Sequence, residues 1–197
     1  MEERNGDWIE TFTGIHFYPF DPREEEICIE DIAHALSMQC RFAGHVQEYY
    51  SIAEHCCRVS GLCSGDNALW GLLHDGAEAY LGDCISPIKC GSELGRLYCE
   101  AEDTCLRAIC RRFGLPERMP LEVKVADETM LSTEARDLMK PDMWHDMLRK
   151  PLDCHLSPWN HRWAKINFLE RFRSLTNAKV VGNGNVGKHQ PFEYDPT

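Results

Sequence analysis

The 197-residue chain predicts an all-α protein, and three observations carry that expectation. Apolar residues recur three and four apart over long stretches, as on one face of a helix. Ser51-Ile52-Ala53-Glu54 has the S-x-x-E form of a capping box. Glycine and proline fall between the periodic stretches, where helices stop. The exception is N-terminal: residues 8–20, WIETFTGIHFYPF, are rich in β-branched and aromatic residues around Gly14 and predict a short β-hairpin.

The helices follow in order. Asp31–Phe42 carries Ile32, Leu36 and Cys40 at four-residue spacing. A second helix starts at Ser51, with Ile52, Val59 and Leu62 on its apolar face. A third runs from near Asp66 to about Leu81, where Gly82 breaks it. CISPIKCGS reads as a loop punctuated by Pro87 and Gly91. A long helix carries Leu94, Leu97, Tyr98, Ala101, Cys105, Ile109 and Phe113 at three- and four-residue spacing and ends at Gly114 and Pro116. Two more span about Pro120–Met139 and Pro158–Leu175. Residues 1–177 are expected to form one domain, and 178–197 a flexible tail.

Composition narrows the function classes. No apolar run approaches the ~20 residues of a membrane span, and MEERNGDWIE lacks the apolar core of a signal peptide. The expected setting is therefore the cytoplasm, or a host's cytoplasm for a phage-encoded chain. A formal charge of −11 argues against a nucleic-acid polymer as partner, which needs a basic surface. The eleven cysteines are odd in number and include no C-x-x-C pair. Several, including Cys56, Cys99, Cys105 and Cys110, fall on or near helical apolar faces and read as reduced core residues.

The segment Leu72–Asp83, LLHDGAEAYLGD, sets His74, Asp75 and Glu78 among leucines. Glu78 is three residues from Asp75 and four from His74, so in a helix it lies beside both. His55 falls inside the apolar stripe of the second helix, and Asp127 lies four from both Val123 and Leu131 in another. A lone inward histidine is usually a hydrogen-bonded core residue, and a lone inward aspartate a cap or salt-bridge partner. Four imidazole and carboxylate groups directed inward from three helices favour a metal site with nitrogen and oxygen ligands instead.

The order His55, His74-Asp75, Asp127 resembles the H…HD…D signature of the HD-domain phosphohydrolase superfamily. The likeness extends through IEDIAHALSMQCRF, YYSIAEHC, GLLHDGAEAYLGDCISPIK and VKVADETML, roughly Ile29 to Met139. It is greatest for the branch of deoxynucleoside 5′-nucleotidases and phage dATP triphosphohydrolases. The resemblance implies one divalent ion of the Zn, Co, Mn or Fe class, held by His55, His74, Asp75 and Asp127. It implies Glu78 and Asp83 as the acid–base pair, their roles left open. It also implies that Arg41 and Phe42 line the nucleotide pocket, with His45 close by, and that Lys89 and Lys124 neutralise phosphates. Phe42 stands where the nucleotidases carry tryptophan, which leaves base selectivity open. Glu30, His34 and Tyr80 are expected to pack or support. The implied activity is release of deoxynucleoside and triphosphate from a dNTP, dATP above all. The alternatives are a nucleotidase acting on dNMPs, a non-catalytic nucleotide-binding module, and a hydrolase of signalling nucleotides, which the likeness around Arg41 and Lys89 disfavours. Relatives are commonly homo-oligomeric, and the apolar helices from Leu94 and Trp163 offer an interface.

Overall fold

The computed structural model describes residues 4–140 and 149–180. Strands β1 (Ile9–Glu10) and β2 (His16–Phe17) form the N-terminal hairpin, pairing antiparallel with Ile9 opposite Phe17. The remaining regular structure is helical: α1 (Ile29–Met38), α2 (Ile52–Leu62), α3 (Asn67–Leu73), α4 (Glu78–Leu81), α5 (Ser86–Lys89), α6 (Glu93–Phe113), α7 (Leu121–Leu138) and α8 (His161–Val180), with short 3-10 turns at Glu24–Glu26 and Phe42–Gly44. The fold is all-α with one small hairpin, as the periodicity predicts. None of the described helices is long and apolar enough to cross a membrane.

Local chemistry sets the helix ends. The Ser51 hydroxyl accepts the Glu54 N–H at 3.1 Å, so the predicted cap starts α2. Ser92 caps α6 in the same way through Gly95 N–H at 2.9 Å. Gly114 ends α6 in the left-handed region at φ 64°, with its N–H directed to Cys110 and Arg111 carbonyls.

At the centre, α2 packs on α1, α3, α7 and α8, while α1 also packs on α4 and α8. Leu36, Val59, Trp70, Leu72, Ile109 and Phe168 are among the fully buried side chains of this core. Arg171 on α8 donates to the Ser60 hydroxyl and carbonyl at 2.9 and 3.0 Å, tying α8 to α2. All eleven cysteines are free; Cys56, Cys105 and Cys110 are buried, Cys99 is half-buried, and Cys90 and Cys154 are exposed.

Four expectations need correction. The helix expected over 66–81 is two, α3 and α4, separated by a tight turn at residues 74–77. There Gly76 N–H and Glu78 N–H each donate three residues back, to Leu73 and Asp75 carbonyls at 2.9 and 3.0 Å. A Cβ at Gly76 would stand 2.9 Å from the Leu73 carbonyl oxygen and 3.2 Å from Ile109 Cδ1, so the turn requires glycine. The helix expected over 31–42 stops at Met38, because residues 39–41 extend and pair with 50–52: Arg41 N–H donates to Tyr50 O at 2.9 Å and Ile52 N–H to Gln39 O at 3.2 Å. The loop expected at 84–92 contains the helical turn α5, with Pro87 in its first turn, where no N–H is needed. The last helix begins at His161 rather than Pro158 and continues to Val180, so residues 178–180 of the expected tail are helical. The remainder of that tail, 181–197, lies outside the described residues.

Candidate metal centre

Three elements converge on one point. His55 comes from the first turns of α2, His74 and Asp75 from the turn between α3 and α4, and Asp127 from α7. Ligand atoms of His55, His74 and Asp75 all lie within 4.8 Å of one another. The two imidazoles present Nε2 to each other at 3.2 Å. Asp75 Oδ2 is 3.3 Å from His74 Nε2 and 3.7 Å from His55 Nε2. Asp127 Oδ1 is 3.1 Å from His55 Nε2 and 3.8 Å from His74 Nε2, so it borders the same point without belonging to the tightest trio. Both histidine side chains are nearly inaccessible, whereas those of Asp75 and Asp127 are 21% and 37% exposed, which puts solvent access on the carboxylate side.

The far ring nitrogens fix how the histidines face. His74 Nδ1 donates to the Gly71 carbonyl at 2.8 Å. His55 Nδ1 lies 2.6 Å from Glu134 Oε1. Each bond orients its ring and leaves Nε2 toward the shared point. Glu134 was not singled out in the sequence, yet its side chain is fully buried, and its Oε2 accepts Arg41 Nε at 3.1 Å. The available signal was spacing: Glu134 is seven residues, two helical turns, beyond Asp127. Burial works against its charge, but Arg41 and His55 hold its carboxyl below the ordinary value. Burial likewise opposes charge on Asp127, and the two adjoining imidazoles reverse that and hold its pKa far below normal.

The other residues singled out in the sequence fall around this point in two groups. Arg41, Glu78 and Lys89 are close. Arg41 Nη1 is 3.5 Å from Asp75 Oδ2, and its guanidinium stands 5.4 Å from the centre of the Phe42 ring. Glu78 is buried at the start of α4; burial first, then the charges of Asp75 and Asp83, push its carboxyl up to about 9. Lys89 Nζ lies 2.8 Å from Glu102 and 3.5 Å from Glu78. Asp83 is exposed, and its N–H donates to Gln39 Oε1 at 3.1 Å. Gln39, also missed in the sequence, donates to the Glu78 carbonyl at 3.0 Å and so clasps both ends of α4.

His45 and Lys124 are both exposed, and Lys124 has no ion-pair partner among the described residues. His34 instead stacks on Phe12 at 3.8 Å, Glu30 accepts from the Cys28 thiol at 3.1 Å, and Tyr80 stacks on Phe17 at 4.0 Å, all in supporting positions. A cavity of about 360 Å³ lies elsewhere, bordered by Met38, Tyr49, Trp159 and His161.

No protein-family model matches the chain. It is 42% identical over 176 residues to the uncharacterized protein YfdR of Escherichia coli (strain K12), an overlap of 87% of this chain and 97% of that one. The chain belongs to the YfdR family. It is also 36% identical over 138 residues to the uncharacterized protein RCAP_rcc00048 of Rhodobacter capsulatus, covering 66% of this chain and 69% of that one.

In this YfdR-family chain the donor set suits a metal ion. Two imidazole nitrogens of like character face each other at 3.2 Å beside carboxylate oxygens, a group that needs a proton or a metal ion between its members. The His55–His74–Asp75 group could hold a metal ion.

Proposed function

We propose that the chain is a metal-dependent deoxynucleotide phosphohydrolase of the HD type, releasing deoxynucleoside and triphosphate from a dNTP, with dATP as the favoured substrate. The observation that supports this most is the convergence of His55, His74 and Asp75, bordered by Asp127, in the order of the HD signature. A divalent ion held there would polarise a phosphoryl oxygen and make water a stronger nucleophile at neutral pH.

The protein's own groups do the rest of the work in this reading. Gly71 O and Glu134 keep both Nε2 lone pairs aimed at the centre. Arg41 uses Nε on Glu134 and Nη1 on Asp75, which leaves Nη2 to meet a phosphate oxygen. Glu78 and Asp83 occupy different environments, one buried and one exposed, as an acid and a base sharing a site must. Water attacks the α-phosphorus, and the 5′-oxygen of the deoxynucleoside leaves with a proton. Assembly into a homo-oligomer belongs to the same proposal; Leu94 and Leu97 are 66% and 50% exposed on α6 and suit such a contact.

A second reading, hydrolysis of dNMPs, is favoured by one feature. Lys89 is already engaged by Glu102 and Glu78, so fewer free cations face the site than a triphosphate would use. The deciding experiment incubates the protein with Co²⁺ or Mn²⁺ against each dNTP and dNMP and identifies both products by chromatography. Deoxyadenosine with intact triphosphate from dATP supports the first reading. Orthophosphate from several dNMPs replaces it with the second, and no turnover of either series rejects both.

A further inference from the structure

We infer that Glu134 is a positioning residue that makes metal affinity and nucleotide binding depend on one carboxylate. The inference rests on the metal-centre reading above and extends it to a residue outside the ligand set.

The geometry is that of a closed ring. Glu134 Oε1 lies 2.6 Å from His55 Nδ1, and its Oε2 accepts Arg41 Nε at 3.1 Å. Arg41 Nη1 continues to Asp75 Oδ2 at 3.5 Å, and Asp75 returns to His74 and His55. The Glu134 side chain is fully buried, so an ionised carboxylate persists there only with both oxygens satisfied. Its two oxygens are spent on a candidate metal ligand and on the candidate substrate arginine. A carboxylate serving only to join helices has no reason to choose those partners. The bond to His55 Nδ1 sets the tautomer: with the proton on Nδ1, the Nε2 lone pair stays free for a cation.

Glutamine at this position has nearly the same shape but cannot accept from both neighbours. If its NH2 group faces His55, the imidazole must accept at Nδ1 and carry its proton on Nε2, which removes the ligand lone pair. If the NH2 group faces Arg41, two donors oppose each other and the guanidinium is displaced. Either outcome disturbs one half of the site.

The test titrates Co²⁺ into the full chain, following visible absorption, for wild type, Glu134→Gln, Glu134→Asp and Arg41→Ala, and records ¹⁵N shifts of the histidine rings. Glu134→Gln is expected to bind Co²⁺ about 10–100-fold more weakly, with His55 moved toward the Nε2-protonated form. Arg41→Ala is expected to lose less Co²⁺ affinity than Glu134→Gln, because Glu134 still accepts from His55 Nδ1, while raising KM for the nucleotide. Should Glu134→Gln fail to fold, Glu134→Asp, which keeps the charge and shortens the reach, must show the same loss of Co²⁺ affinity. Wild-type Co²⁺ affinity, unshifted His55 nitrogens and a wild-type KM for the nucleotide, found together in a folded Glu134 variant, would overturn the inference and leave the metal reading standing. Failure of the wild type itself to bind Co²⁺ would overturn the metal reading and this inference with it.

Discussion

Glu54 and His55 are neighbours on one turn of α2, both fully buried, and they enter two different polar networks. Glu54 accepts from Arg58 Nε and Nη2 at 2.9 and 2.6 Å and from the Trp159 N–H at 2.7 Å. Arg58 in turn donates to the Ser157 carbonyl at 3.0 Å, so that network ends on backbone. The His55 network runs through Glu134 and Arg41 and ends on Asp75 and Asp127, which water can reach. The first network is closed and holds the start of α8 against α2. The second is open, and its free end is where a ligand can act. Buried charge by itself therefore does not mark a functional site; where the chain of partners stops does.

Changes at the open end should give the largest effects. Asp75→Ala should abolish turnover and Co²⁺ binding, well beyond the ~100-fold that loss of a ligand's hydrogen-bond partner costs. Turnover assays and Co²⁺ titration measure this, and unchanged turnover would remove the enzyme reading. Chelation should silence the wild type in the same assay, and added Co²⁺ or Mn²⁺ should restore it.

The closed network should answer in stability alone. Glu54→Ala strands Arg58 and the Trp159 N–H, for a loss of about 3 kcal/mol. Calorimetry should show a lower Tm while the Co²⁺ spectrum of the folded variant stays that of wild type. A lost Co²⁺ spectrum would show that the two networks are not separate.

Asp137 supplies a smaller case of the closed kind, accepting from Arg136, His155 and the Leu156 N–H. Burial opposes its charge, but these partners prevail and hold its carboxyl down to about 2. Because the folded pKa is depressed, its contribution is complete above the ordinary carboxylate pKa and is lost as pH falls toward 2. Asp137→Asn should remove that contribution, about 2 kcal/mol. Denaturant unfolding at a series of pH values from 6 down to 3 should show the flatter dependence. Smallest of all, Arg96→Ala breaks exposed pairs with Glu93 and Glu100 on α6 and should leave Tm unchanged within measurement.

The longer helices were legible because their apolar residues recur at helical spacing, although the face of α6 that the spacing marks is exposed at Leu94 and Leu97, and the α2 cap because its hydroxyl and N–H are fixed by position. The break at 74–77 was hidden: LLHDGAEAYL keeps helical spacing throughout, and one internal glycine lowers helix propensity by only ~1 kcal/mol. The pairing of 39–41 with 50–52 is too short to give a period-two signal. Among site residues, His55 announced itself as an imidazole in an apolar stripe. Glu134 did not, because Thr133, Glu134, Arg136 and Asp137 together look like a solvated helix face. Its burial follows from what α7 meets across α2, which no single helix reveals.

The 3-10 turn beside Arg41 sets a rule for engineering this protein. Phe42 and Ala43 are successive non-glycine residues at φ 55° and 51°, a conformation that disfavours L side chains by about 1–2 kcal/mol each. Their own sequence does not choose it. The bridge of Cys40 with Ser51 and the bond from Gln47 N–H to the Leu138 carbonyl at 3.0 Å impose it from either side. The aromatic at 42 therefore cannot be exchanged between relatives as an isolated letter with its orientation assured. The smallest transplantable cassette is the whole of 39–52, and its fit must be judged at the C-terminal end of α7.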